Sequence, residues 1–210
     1  MEIKRRGLLL ILSSPSGAGK STLTQTLVRE DASIKLSVSV TTRPKRQSEI
    51  EGVHYRFITP ADFEKMCARD ELLEFAEVHG NHYGTPREAV EQALATGQDV
   101  MFDIDWQGTR QVCEKLRDDV VSVFILPPSM RELKARLERR AEDSDEVIAR
   151  RLDNARQEIA QWGNYDYVLV NDDLQTTFDN LKAILAAERL RRSRQAGMER
   201  FVEALLQERV

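Results

Sequence analysis

Four short apolar segments stand out along the chain: Gly7–Leu12, Val100–Ile104, Val120–Leu126 and Tyr167–Val170. Their length and β-branched content predict strands buried on both faces. Between them, Lys20–Arg29, Arg131–Arg139 and Val147–Ile159 carry apolar residues at helical spacing. Strands alternating with helices predict an α/β fold, a parallel sheet core with helices on both faces.

Residues from about Ser37 to Tyr83 follow a different rhythm. Ser37–Thr42 and Tyr55–Thr59 read as short strands, and Thr59-Pro60-Ala61-Asp62 reads as a helix start, an N-cap followed by proline in the first turn. Leu72–Val78, then His79-Gly80-Asn81, then His82-Tyr83 reads as a hairpin. The expectation is a small mixed α+β lobe inserted into the core. Thr85-Pro86-Arg87-Glu88 has the form of a capping box opening the next helix, which Gly97 closes. After Leu174 the chain is strongly helix-forming up to an interruption near Gly197. Its basic residues Arg189, Arg191, Arg192 and Arg194 read as a solvated helix face.

Composition narrows the function classes. The net charge is −4, so nothing global favours nucleic acid or an anionic membrane, and a basic binding site has to be local. The two cysteines, Cys67 and Cys113, lack metal-ligand spacing and are too few to staple a secreted fold, which points to a reducing cytoplasm. The apolar run after Lys4, Arg5 and Arg6 is too short for a signal peptide and feeds into a glycine-rich loop, and no segment is long enough to span a bilayer.

That loop carries the strongest local signal. Ser14-Pro15-Ser16-Gly17-Ala18-Gly19-Lys20-Ser21, followed by Thr22, lies between an apolar strand and a helix and follows the P-loop pattern G-x-x-x-x-G-K-S/T, except that Ser14 stands at the first position. Gly17 and Gly19 let backbone N–H groups turn inward, and the helix start adds the positive end of its dipole. Lys20 reaches the outer phosphates and Ser21 offers a hydroxyl to Mg²⁺. The motif predicts a nucleoside triphosphate without naming the reaction.

A second constellation bears on the acceptor. Ser39-Val40-Thr41-Thr42-Arg43-Pro44-Lys45-Arg46 ends in two arginines three positions apart, and Tyr55 follows. Arginine pairs hold phosphate through charge-assisted bidentate hydrogen bonds. With Leu73-Glu74-Phe75, Gly80–Thr85, Asp103-Ile104-Asp105-Trp106-Gln107-Gly108, Pro127-Pro128-Ser129 and Val170-Asn171-Asp172-Asp173 in this order, the chain resembles the bacterial-type guanylate kinases over about residues 7 to 185.

The resemblance implies phosphoryl transfer from ATP to GMP in the cytoplasm, with no nucleic-acid or membrane partner. It implies that Arg43, Arg46, Tyr55 and Tyr83 bind the GMP phosphate, while Ser39, Glu74, Thr85 and Asp105 read guanine. ATP would lie on Ser16 to Thr22 with Arg136 and Asn171 nearby, and Ser21 and Asp103 would serve Mg²⁺. The reacting phosphates would be met by Lys20, Arg43, Arg140 and Arg151, the last two flanking a polar acidic turn. It divides the chain into a P-loop core (1–36, 86–128 and 158–210), a GMP-binding lobe (37–85) and a lid (129–157). Chemistry agrees at the base: a hydroxyl can donate to O6, and a carboxylate can accept from N1–H and the N2 amine, which adenine cannot match. A sugar-phosphate kinase on the same scaffold needs no such reader, and a non-catalytic interaction module has no need of Lys20 and Ser21. Asp103 and Asp105 are expected on one side of a strand at its carboxyl end.

Overall fold

The computed structural model describes residues 4–78, 80–139 and 144–208. In chain order the elements are β1 (Leu9–Ser13), α1 (Lys20–Glu30), β2 (Ile34–Leu36), β3 (Val40–Thr41), β4 (Arg56–Phe57), α2 (Pro60–Ala68), β5 (Leu72–Val78), β6 (Asn81–Pro86), α3 (Arg87–Ala95), β7 (Asp99–Phe102), α4 (Trp106–Leu116), β8 (Val120–Leu126), α5 (Met130–Glu138), α6 (Asp145–Ile159), β9 (Tyr167–Val170), α7 (Leu174–Arg189) and α8 (Met198–Gln207).

The four predicted core strands form one parallel sheet with a fifth, in the order β2-β7-β1-β8-β9. The added edge strand β2 is only three residues long, too short to announce itself by pattern. Central β1 shows why helices cover both faces. Leu8, Leu10 and Leu12 pack with Leu23 and Leu27 of α1 and with Phe178, Leu181 and Leu185 of α7. Leu9 and Ile11 pack on the other side with Val90 and Leu94 of α3 and Val112 of α4. Successive residues of a strand point to opposite faces, so an unbroken apolar run needs two apolar layers. Helix α4 was not anticipated.

Residues 40–86 form a second, mixed sheet in the order β4-β3-β6-β5. Helix α2 closes one side of it, with Phe63 buried against Val40 and Leu72. The Thr59 hydroxyl accepts from the Asp62 N–H with Pro60 in the first turn, as predicted. Gly97, at φ +84°, follows α3. Helices α5 and α6 share a separate apolar cluster of Leu133, Leu137, Ile148 and Ala155.

Two expectations are overturned. The residue preceding α3 is Pro86, with no side-chain cap, and Thr85 belongs to β6. Its hydroxyl finds a carboxylate across the hairpin instead of a helix amide. The arginines of 189–194 are not a uniformly solvated face either. Arg194 is buried, and Arg189 Nε donates to Asp99 Oδ2 at 2.7 Å. Asp99 has no exposure, and it also holds both guanidinium ends of Arg5, at 2.6 and 3.0 Å. Burying that carboxylate requires paired charge, and the partners come from both ends of the sequence.

Candidate active site

The phosphate loop occupies the turn from β1 into α1. Gly17 and Gly19 have φ of +93° and +107°, a region L side chains rarely adopt. Space forbids a side chain as well. A Cβ on Gly17 would lie 3.1 Å from Leu133 Cδ1 and Leu137 Cδ2 of α5, and one on Gly19 would run into Asn171 Nδ2. No side chain caps α1, which leaves the amides of its start for a ligand. Ser14, the departure from the pattern, turns its hydroxyl onto the Pro15 carbonyl at 3.0 Å. Behind the loop, buried Asn171 donates from Nδ2 to the Ala18 carbonyl at 2.7 Å, and its own carbonyl accepts from Arg136 Nη2 at 3.0 Å.

A cavity of about 310 Å³ opens between this loop, Asp103, Asp105 and Glu158. Lys20 Nζ pairs with the Asp103 carboxylate there, and burial pulls the ammonium below its usual range. Strand β7 ends at Phe102, so Asp103 and Asp105 lie beyond it and are not placed on one face by its alternation, contrary to expectation. Asp105 instead caps α4, accepting from the Gly108 N–H at 2.9 Å. Its negative charge acts on both Lys20 and Glu74, so it stands between the phosphate loop and the second sheet.

Glu74 and Thr85 are cross-strand partners in the β5–β6 hairpin. The Thr85 hydroxyl donates to Glu74 Oε1 at 2.6 Å, and its single proton being spent, Ser39 is the donor in the 3.3 Å contact with Thr85 Oγ1. A register shift between Leu72 and Glu74 breaks the simple alternation of β5 and leaves Leu72, Leu73 and Glu74 all buried. Glu74 is 6% exposed, and burial pushes its carboxyl above the usual carboxylate range against the opposing Thr85 hydrogen bond. Gly108 at the start of α4 packs beside this carboxylate: a Cβ there would come to 3.3 Å from the Ile104 side chain and 3.4 Å from Glu74 Oε2.

Arg43 follows β3. Its Nη1 and Nη2 donate to Glu49 Oε2 and Oε1 at 3.0 and 2.6 Å, and its Nε donates to the Tyr83 hydroxyl at 3.3 Å. The guanidinium carbon lies 5.5 Å from the Tyr55 ring centre, and Tyr55 meets Tyr83 edge-on at 5.8 Å. The Arg46 side chain is exposed at the loop's rim, while its N–H donates to Glu49 Oε2 at 2.8 Å. The structure thus brings Arg43, Tyr55 and Tyr83 together, with Arg46 beside them.

Arg136 and Arg151 lie on α5 and α6; Arg140 falls outside the described residues. Two residues that adjoin these positions carry no signal in the sequence: Glu49, on Arg43 and Arg46, and Glu158, in the lining of the loop cavity. Neither sits in a local pattern, and only their tertiary neighbours reveal them. A larger cavity, about 910 Å³, opens at the other end of the strands, near Val120 and Tyr167. Its arginines are paired with Asp119, Asp166 and Glu188, and among the described residues it has no glycine-rich turn into a helix start to present backbone amides.

The sequence profile of the guanylate kinase family matches residues 6–188. The chain belongs to the guanylate kinase family. The guanylate kinase of Agrobacterium fabrum is 63% identical over 206 residues, covering 98% of this chain and 94% of that protein. That of Rhizobium etli is 62% identical, with 99% and 94% covered. The crystal structure of guanylate kinase from Anaplasma phagocytophilum, 39% identical, superposes with a TM-score of 0.76 over the whole of both chains.

Proposed function

We propose that this protein is a guanylate kinase that moves the γ-phosphoryl group of ATP onto GMP. The observation that carries the reading is the Ser39–Thr85–Glu74 chain of hydrogen bonds, which ends in a buried carboxylate one aspartate away from a complete phosphate loop.

The phosphate loop holds the ATP phosphates through its amides at Ser16 to Ser21, with Thr22 flanking and Lys20 countering the charge. Asn171 supports the loop from behind, and Arg136 ties α5 to that support. Glu74 accepts from guanine N1–H and N2, the hydroxyls of Ser39 and Thr85 lie at the base, and Asp105 closes the site. Arg43, Arg46, Tyr55 and Tyr83 hold the GMP phosphate.

Magnesium bound mainly by nucleotide phosphates needs few protein oxygens. The Ser21 hydroxyl and the Asp103 carboxylate at the loop cavity are hard donors of the right kind. Bound there, Mg²⁺ would offset negative charge on the outer phosphates. Among the described residues there is no cluster of three or more carboxylate, imidazole or thiol ligands.

A GMP phosphate oxygen forms the new bond to the γ-phosphorus as the bond to the bridging oxygen breaks and ADP departs. Ionised phosphate is already nucleophilic, so no general base is needed; positioning and charge neutralisation supply the rate. The residues assigned to that neutralisation are Lys20, Arg43, Arg140 and Arg151. Residues 129–157 serve as the lid that excludes water, residues 37–85 as the GMP-binding lobe, and residues 1–36, 86–128 and 158–210 as the core. The separate apolar cluster of α5 and α6 supports such a division. Two free thiols and a small-molecule reaction support a cytoplasmic setting. No helix among the described residues is long and apolar enough to cross a membrane.

The test is ADP release with ATP and Mg²⁺, comparing GMP, AMP, UMP and no acceptor. Turnover confined to GMP is expected, and equal turnover with AMP would overturn the base assignment.

A further inference from the structure

We infer that Glu49 is a positioning residue for GMP phosphate: it grips the end of Arg43 and the backbone of Arg46, turning the remaining edge of Arg43 toward the phosphate. The inference rests on the proposed phosphate site and adds to it a residue that touches no substrate.

A guanidinium has five N–H groups. In Arg43, Nη1 spends both on the Pro44 carbonyl, 2.8 Å, and Glu49 Oε2, 3.0 Å, and Nη2 spends one on Glu49 Oε1, 2.6 Å. What remains is the side edge, where the second Nη2 proton lies beside the Nε–H shared with the Tyr83 hydroxyl. A phosphate on that edge meets a bidentate donor pair with a phenol next to it. The Tyr55 and Phe57 rings, at 5.5 and 5.7 Å from the guanidinium carbon, restrict the plane. Glu49 fixes rotation within it.

Glu49 also sets where the second arginine starts. Its carboxylate accepts from the Arg46 N–H at 2.8 Å while its own N–H donates to the Arg46 carbonyl at 3.1 Å. This reciprocal clamp makes Arg43 and Arg46 two ends of one turn. The Glu49 side chain is only 12% exposed. A carboxylate merely occupying an empty phosphate site would have no need of the backbone clamp, and leaving would cost it all three hydrogen bonds at once.

The test uses the full-length enzyme with Glu49→Gln, Arg43→Ala and the double variant. Losing one oriented, charge-assisted contact is expected to raise KM for GMP by about tenfold, with KM for ATP and inhibition by guanosine, which has no phosphate, within about twofold on the same basis. Glu49→Gln should add much less on top of Arg43→Ala than it does alone, because only its hold on the Arg46 N–H is left to lose. Glu49→Asp, too short to span both partners, should shift KM for GMP the same way, and serves should the amide variant fold poorly. Unchanged or tighter GMP binding, additive effects in the double variant, or equal weakening of guanosine would overturn the role of Glu49. If Arg43→Ala itself leaves KM for GMP unchanged, the phosphate site is misplaced and both readings fall.

Discussion

Replacing Glu74 with glutamine separates recognition from stability. The carboxylate is 6% exposed, and one of its oxygens already takes the Thr85 proton at 2.6 Å. In the proposed complex the remaining acceptor positions receive guanine N1–H and N2–H. An amide has one oxygen and one NH₂ group. If the oxygen keeps Thr85, the amine faces two more donors; if it turns to the base, Thr85 is stranded. Hydrogen bonds to a charged group contribute about 1.5–3 kcal/mol each, so losing two removes roughly 3–6 kcal/mol. At about 1.4 kcal/mol per decade, kcat/KM for GMP should fall about 10²- to 10⁴-fold. Stability should move the other way or hold. Burial disfavours the charged carboxylate, and a neutral amide of nearly the same volume removes that cost. ADP-release kinetics and thermal unfolding at neutral pH, on one preparation, measure both. A fall in kcat/KM below tenfold would refute the reader role. A drop in Tm parallel to the loss of activity would make Glu74 a packing residue.

Gly19→Ala should weaken ATP binding at least tenfold in a nucleotide-displacement titration. A φ of +107° costs an L residue about 1–3 kcal/mol, and the new methyl displaces the Asn171 amide that holds Ala18. Asp99→Ala takes the carboxylate partner from Arg5, leaves Arg189 with Asp31 alone, and should destabilise by about 3 kcal/mol in urea unfolding, with kcat at 25 °C intact; a loss below about 1 kcal/mol would refute the buried-pair reasoning. Two carboxylates give opposite pH dependence. Glu74, raised in the folded state, favours folding below the ordinary value of 4.5, a contribution lost as pH climbs through its raised pKa. Glu49, held at about 2 by Arg43 and by the Arg46 N–H, favours folding above 4.5, and that contribution disappears as pH falls toward 2. Since the proposed GMP complex needs ionised Glu74, KM for GMP should begin to rise on acidification at a pH above 4.5, and this limb should vanish in Glu74→Gln.

The phosphate loop was legible from sequence because its constraints are local: glycine for positive φ, lysine and serine at the helix start, apolar residues before it. The two-faced parallel sheet was legible for the same reason, as β1 carries its pattern in five successive buried residues. What was misread depended on partners far along the chain. The pattern of Thr85 and Glu88 has the spacing of a helix cap, yet the partner that won is Glu74, fixed by hairpin register. Arg189 looked solvated because its carboxylate, Asp99, is 90 positions away. Glu49 went unnoticed because an acidic residue in a polar loop carries no signal until its two arginine partners are placed around it. Strand β2 is defined by pairing with β7 and not by its own composition.

The strut from Asn171 to Ala18 joins residues 153 positions apart, and this bears on how the protein is made. At about 5–20 residues per second, a ribosome adds the intervening chain in roughly 8–30 s. Throughout that interval the nascent loop has its glycines and its lysine but nothing behind it, and β9, whose last residue adjoins Asn171, has not emerged. The hairpin carrying Glu74 and Thr85 leaves the ribosome long before. On the proposed assignment, the acceptor side of the catalytic centre can therefore be assembled on a chain that cannot yet hold a triphosphate firmly, and ATP competence arrives only with the final third of the polypeptide.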